Sequence, residues 1–357
     1  MIFNYLHFVI KNKAIHNLIN RHSDILFCLI NLQKLILKFA KKKLNLRTVN
    51  YCMTLQNFPY QPNPNFPNRY ISPEKLFFYL QTNYSDFISE LGTSTLGKPI
   101  FKMCIGKGKI KVIAWSQMHG NESNATHAML DLLEIFKSEK KLQEELFSKI
   151  SLDFVFMLNP DGSEKWSRRN ALEIDMNRDF LKRSSKELKF LLNLVENGNY
   201  SYALNLHEQR TIFTTDGENP ATLSFLAPSE NFGRELTETR KKTMAVIYKM
   251  YESLKEILPN HIARYTDEFY PTSSGDNFTK MGLPTILFEG GHYIDDYNRK
   301  ETRKYYTLAL YAALKSISEL NSSTENWERY EEIPENKETH YDVIYRNVKL
   351  NTDFECI

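Results

Sequence analysis

The chain has 357 residues, of which 42% are hydrophobic and 25% charged, proportions of an ordinary globular protein and not of a disordered or fibrous one. Its net charge of +3 is misleading: residues 1–52 carry nine Lys/Arg against Asp24 alone, a balance of +8, and the other 305 residues hold 37 bases and 42 acids, a balance of −5. A body of that balance has no electrostatic reason to bind nucleic acid. The four cysteines, Cys28, Cys52, Cys104 and Cys356, show no CxxC spacing. They suggest neither a disulfide framework nor a thiolate metal site, and they fit a reducing compartment.

In residues 1–52, 36 positions are Phe, Ile, Lys, Leu, Asn or Tyr, residue types that AT-rich codons encode. We read this stretch as a non-globular basic extension, with a true start expected at Met53. Its first apolar run has no basic residue before it and is broken by Lys11 and Lys13, unlike a secretory signal. Asn31, Gln33, Lys34 and Lys38 interrupt the only long apolar stretch, so a membrane span is not expected. The functional alternative is a basic amphipathic helix lying on a membrane surface. Residues 53–320 are expected to form the working domain and 321–357 a polar, acidic tail. A cytoplasmic monomer is expected.

After Met53, "NFPYQPNPNFPN" excludes regular structure, and from "SPEKLFFYLQ" onward strand and helix patterns alternate. "KPIFKMCIG" and "KIKVIAWSQM" read as strands joined by a Gly-Lys-Gly-Lys turn, the pattern of a hairpin. "ESNATHAMLDLLEIFKS" has helical apolar spacing, and "ISLDFVFML" is a strand that "NPDG" breaks sharply. "SKELKFLLNLVEN" is a helix, "YSYALNLHEQR" a strand, and a long helix is expected from Arg234 to Leu258. "LPTILFEGG" is the last strand and "ETRKYYTLALYAALKSISEL" the closing helix. This alternation predicts an α/β fold: a mixed, mostly parallel central sheet with helices on both faces.

The polar groups of interest sit just after apolar strands. Open α/β sheets bind ligands outside the carboxyl ends of their strands. His119 and Glu122 follow one strand, Asn159 to Gly162 a second, His207 ends a third and Glu289 ends a fourth. Catalytic zinc takes three protein ligands and keeps a fourth position for water. His119, Glu122 and His207 supply such a set for one Zn2+ ion. His207 alternates with Leu204 and Leu206, so a strand that buries those leucines points the histidine the other way. His127 reads as a surface or packing residue.

Coordination lowers the pKa of a zinc-held water toward ~7, and a nearby carboxylate can relay its proton. Glu289 emerges from a buried strand, with two glycines after it leaving room for a substrate. "WSRRNALEIDMNRDF" (166–180) adds a dense polar cluster. Guanidinium groups bind carboxylates and stabilise developing oxyanions. One arginine near the metal and another beyond it suit a substrate with a scissile carbonyl and a free carboxylate.

Taken in order, "HGNE", "NPDG", "RRN…DMNRDF", "NLHEQ" and "FEGG" resemble the M14 zinc carboxypeptidases over roughly residues 96 to 315. The resemblance implies His119, Glu122 and His207 as zinc ligands and Glu289 as general base. It implies Arg168 as the arginine that polarises the scissile carbonyl, with Arg169 its immediate neighbour. Asn177 and Arg178 match the pair that holds a terminal carboxylate, and Asp175 an aspartate that orients the first zinc histidine. The family's mobile substrate-binding tyrosine has no clean equivalent; Tyr270 is the nearest candidate, with Tyr265 behind it. Gly275 or its neighbours fall where the family places the residue that selects the substrate side chain. The implied substrate is a peptide or peptide-like amide.

Two other readings are carried forward. Aspartoacylase-like and succinylglutamate-desuccinylase-like enzymes share an "HGNE" and an Asn-Arg pair, but imply a β-rich domain after the core. A catalytically inactive zinc- or peptide-binding module is the non-enzymatic alternative.

Overall fold

In a computed structural model, residues 54–341 and 343–346 are described; the basic extension at 1–52 lies outside the described residues. Ser72 opens helix α1 (Pro73–Tyr84), accepting a hydrogen bond from the Lys75 N–H, with Pro73 in the first turn. Strands β1 (Ile88–Thr93), β2 (Pro99–Ile105) and β3 (Ile110–Trp115) follow. Next come α2 (Asn124–Ser138), α3 (Lys140–Phe147), β4 (Ile150–Phe156) and the one-turn α4 (Pro160–Glu164). The chain continues through α5 (Lys186–Gly198), β5 (Tyr202–Glu208), β6 (Phe213–Thr214), β7 (Leu223–Leu226), α6 (Glu238–Leu254) and β8 (Ile262–Arg264). It closes with α7 (Ser274–Lys280), β9 (Thr285–Gly290), α8 (Lys300–Leu320) and β10 (Lys337–Glu338). None of the described helices is long and apolar enough to cross a membrane.

Eight strands form one mixed sheet in the order β1-β2-β4-β3-β5-β9-β7-β8. Its centre, β4-β3-β5-β9, is parallel throughout. Strand side chains alternate between faces. Ile113 and Trp115 of β3 therefore join one core with Leu188, Leu191 and Leu192 of α5 and Phe278 of α7. Val112 and Ala114, equally buried, face the opposite layer. There α8 packs against both α2 and α6.

The expected hairpin between β2 and β3 does not form. β4 lies between them, antiparallel to β2 and parallel to β3. The continuous apolar run of β3 suits a central strand covered on both faces, and β3 pairs in parallel with β4 on one side and β5 on the other. The Gly-Lys-Gly-Lys link crosses the start of β4. A Cβ on Gly108 would sit 1.9 Å from the Lys149 carbonyl carbon, so only glycine lets the two backbones pass.

Other boundaries also shift. The helix expected from Arg234 starts at Glu238, where Thr237 accepts from the Arg240 N–H and Arg234 itself has a left-handed φ of 53°. "NPDG" forms a helical turn, not a plain break, because Asn159 Oδ1 accepts the Gly162 N–H at 2.9 Å. In the tail, a 3-10 helix at Trp327–Glu332 packs on α6 and buries Tyr330. β10 then pairs with β6. The Pro/Asn-rich approach is fixed by a buried ion pair: Arg303 Nε donates to Asp131 Oδ2 at 2.7 Å, and Asp131 Oδ1 accepts the Asn63 N–H.

Candidate active site

Because β3, β4, β5 and β9 run parallel, their carboxyl ends share one edge of the sheet. The chain leaves β3 and β4 through Gln117 and Met157, both in the left-handed region, with φ of 48° and 45°. These turns bring "HGNE" and "NPDG" against each other. A Cβ on Gly120 would lie 2.1 Å from the Gly162 carbonyl carbon, and one on Gly162 would lie 2.5 Å from the Arg169 carbonyl oxygen. The two motif glycines are thus required by a backbone crossing, which holds the loop carrying His119 and Glu122.

His119, Glu122 and His207 converge, buried, with one ligand-type atom from each lying within 4.8 Å of the others. His119 Nδ1 is 2.8 Å from Glu122 Oε1, His207 Nδ1 is 2.9 Å from Glu122 Oε2, and the two Nδ1 atoms are 3.1 Å apart. A tetrahedral zinc with Zn–N bonds of about 2.0–2.1 Å would set its ligand atoms roughly 3.3 Å apart. These donors fit such an ion with little movement. His119 Nε2 reaches Asp175 Oδ1 at 3.1 Å, the carboxylate partner that fixes a metal-binding imidazole through its other nitrogen.

Asp175 is a junction. Its Oδ1 also accepts the Asn177 N–H at 3.0 Å, capping the 3-10 turn Met176–Arg178, and its Oδ2 accepts Arg168 Nε at 2.9 Å. Arg168 Nη1 lies 3.1 Å from His119 Nδ1 and 3.4 Å from Glu122 Oε1. Arg169 turns away and donates to the Glu173 carbonyl. Arg168 is therefore the member of the pair that faces the site.

A cavity of about 230 Å³ opens over these groups. His119, Arg168, Asn177, Arg178, His207, Tyr270 and Glu289 line it, and Glu122 and Asp175 bond directly to lining residues. Glu289 stands opposite His207 across β5 and β9. Its Oε2 is buried and has no hydrogen-bond partner among the described residues. Arg178 lies under the Tyr270 ring, 5.3 Å from its centroid, and Tyr270 donates its hydroxyl to Glu268. Tyr265 also lines the cavity, with its hydroxyl tied to Gln209 Oε1 at 2.5 Å.

The electrostatics separate the two glutamates. Burial favours the neutral form of each. For Glu122, the charges and hydrogen bonds of His119 and His207 outweigh burial and hold the carboxyl well below the usual range. For Glu289, burial dominates, the Glu122 charge adds to it, Arg168 opposes, and the carboxyl is raised well above its usual value. Burial also lowers His207, whereas Glu122 and Asp175 overcome burial at His119 and raise it. The surroundings therefore favour the ionised form of Glu122 and the protonated form of Glu289.

The Peptidase_M14 family, described as zinc carboxypeptidase, matches residues 74–338. The chain belongs to the zinc carboxypeptidase family. Carboxypeptidase 2 of Trichophyton equinum is 25% identical over 152 residues, which are 43% of this chain but only 24% of that protein's length. Among solved structures, a metallocarboxypeptidase from Burkholderia cenocepacia superposes with a TM-score of 0.55 at 14% identity, covering 70% of each chain. Bovine thrombin-activatable fibrinolysis inhibitor superposes with a TM-score of 0.54 at 16% identity, covering 71% of this chain and 98% of that one. At such identities these likenesses show the fold, the zinc carboxypeptidase fold of an eight-stranded mixed sheet.

Within that fold, some cavity residues escape a reading by motif. Asn205, Leu287 and Asp276 line it. The signal for the first two is their position two residues before His207 and Glu289, on the same face of their strands. His127, His261 and His292 place ring nitrogens against backbone carbonyls, at Arg69, Pro220 and Arg210 respectively, away from the ligand set.

Proposed function

We propose that this chain is a zinc-dependent carboxypeptidase that hydrolyses the C-terminal amide bond of a peptide or peptide-like substrate. His119 Nδ1, Glu122 and His207 Nδ1 would hold one zinc ion, which when bound would supply Lewis acidity and lower the pKa of water at the site. The observation that carries the reading is the meeting of that ligand set with an unpartnered Glu289 carboxylate in one cavity.

Each role follows from position and charge. Glu289, a stronger base than an exposed glutamate, takes a proton from the attacking water and delivers it to the departing amine. Arg168, held by Asp175 beside His119, directs Nη1 toward the place where negative charge grows on the scissile oxygen. Arg178 and Asn177, farther along the cavity, bind the free terminal carboxylate. Tyr270, stacked on Arg178, covers that carboxylate from solvent. Asp175 keeps His119 in the tautomer that leaves Nδ1 free to coordinate.

The direct test is hydrolysis of N-acyl dipeptides by purified protein before and after chelator treatment. The reading expects release of the C-terminal amino acid, loss of release on chelation and its return with zinc. N-acetylaspartate should remain intact. Cleavage of N-acetylaspartate but of no dipeptide would move the chain to the N-acyl amino acid hydrolases.

A further inference from the structure

Arg168 and Asp175 meet although six residues separate them, and one side chain makes the turn between them. Asn170 is buried, and its Oδ1 accepts the N–H groups of Leu172 and Ile174, each at 3.0 Å. Its own N–H donates to the Ile174 carbonyl, and its carbonyl accepts the Glu173 N–H. The other end of the Asn170 amide is held as well. Nδ2 donates to Glu187 Oε2 at 3.2 Å.

Glu187 is buried in the first turn of α5. Its Oε1 accepts the Thr95 N–H at 2.7 Å and the Thr95 hydroxyl at 2.9 Å. Thr95 lies in the turn between β1 and β2, which also delivers Ser94 Oγ and the Leu96 N–H to Asp161 of "NPDG". A buried carboxylate is costly unless hydrogen bonds and a favourable field offset its desolvation, and a helix N-terminus supplies that field. Neither Asn170 nor Glu187 lines the cavity. The far end of the segment is fixed separately: Asp179 Oδ2 accepts the Ser185 N–H and the Ser185 hydroxyl, both at 2.7 Å.

Resting on the carboxypeptidase reading, we propose that Asn170 and Glu187 are positioning residues for Arg168: the pair closes the 168–175 turn and so holds the guanidinium against Asp175 and beside His119. Asn170 turns its acceptor inward to two N–H groups, so its amide must present its donor to α5, where a carboxylate offers only acceptors. The donor and acceptor of the pair are thereby fixed. Loosening the pair displaces Arg168, which acts on charge that develops in the transition state. Arg178, anchored through Asp179 next to it, stays in place to bind the terminal carboxylate.

The test exchanges the two roles. Asn170→Asp sets two carboxylates against each other, and Glu187→Gln leaves an amide N–H facing a donor, at Asn170 or at Thr95. The double variant again sets one donor against one acceptor and keeps the acceptors for Thr95, Leu172 and Ile174. Each single variant should lose about ten- to a hundredfold in kcat on an N-acyl dipeptide, with KM and zinc content unchanged. The double variant should recover most of that loss. In an Arg168→Ala background the same substitutions should cost nothing further, a result that a general loosening of the fold would not produce. Wild-type kcat in both single variants, a double variant no better than the worse single one, or losses that add to that of Arg168→Ala overturn the inference and leave the carboxypeptidase reading intact. Glu187→Asp, which withdraws the same carboxylate by one methylene group, replaces a single variant that does not fold. If the wild type hydrolyses no dipeptide, the carboxypeptidase reading fails. The pair is then judged by amide hydrogen exchange over residues 170–175, where faster exchange in the single variants and its reversal in the double variant support the pair, and unchanged exchange rejects it.

Discussion

His207 and Glu289 stand opposite each other across adjacent parallel strands, one a member of the candidate ligand set and the other a carboxylate whose buried Oε2 has no partner among the described residues. The sheet itself sets their spacing, so removing one side chain should leave the other in place. Glu289→Ala is expected to keep its bound zinc and its melting temperature while losing about 10²–10⁴-fold in kcat. Metal analysis, thermal melting and steady-state rates on one preparation check this. Undiminished kcat would remove Glu289 from the chemistry.

Arg178 lines the cavity, and under the proposed function it binds the substrate's free carboxylate. Amidating the substrate C-terminus should lower kcat/KM by about ten- to a hundredfold, the cost of leaving one partner of a charge pair alone. Arg178→Ala should lower it similarly on the acid and bring little further loss on the amide. Equal cleavage of acid and amide by the wild-type protein would make Arg178 structural.

The crossing of Gly120 over Gly162 leaves no room for a methyl group, because the obstacle is backbone at 2.1 Å. Gly120→Ala should displace the His119–Glu122 loop. Zinc affinity and melting temperature are expected to fall together, measured by competition with a chromogenic chelator and by calorimetry. Wild-type values for both would show that the loops separate without cost.

His127 is buried beside the Arg69 carbonyl, and burial, aided by the Arg303 charge, pushes its pKa down to about 3. Its ordinary value is near 6.5. Between those limits the unfolded chain binds a proton that the folded chain refuses, so the residue costs nothing above pH 6.5 and progressively destabilises as pH falls toward 3. The slope attributable to it approaches ~1.4 kcal/mol per pH unit. In urea unfolding at pH 7 and pH 5, His127→Asn should lose less stability on acidification than the wild type. Identical losses would place the acid sensitivity elsewhere.

The legible part of the molecule is the part governed by local pattern. "NLHEQ" announces its candidate ligand because a strand that buries Leu204 and Leu206 must turn His207 the other way. "TILFEGG" ends in a charge that the buried strand has no local reason to carry. The order of strands is another matter. β2 and β3 look like a hairpin because only four residues separate them, and nothing local shows that β4, arriving later in the chain, takes the place between them. Asn205 and Asp276 are equally silent, since their meeting depends on how closely α7 approaches β5. Tyr330 looks like one aromatic in an acidic tail until α6 provides the surface that buries it.

The central claim is that His119, Glu122 and His207 grip one divalent ion. Purified protein dialysed against zinc and then buffer should carry one zinc per chain by elemental mass spectrometry, and His119→Ala, Glu122→Ala and His207→Ala should each carry far less while remaining folded by circular dichroism. A folded wild-type protein that takes up no zinc, or three variants that keep a full equivalent, would contradict it.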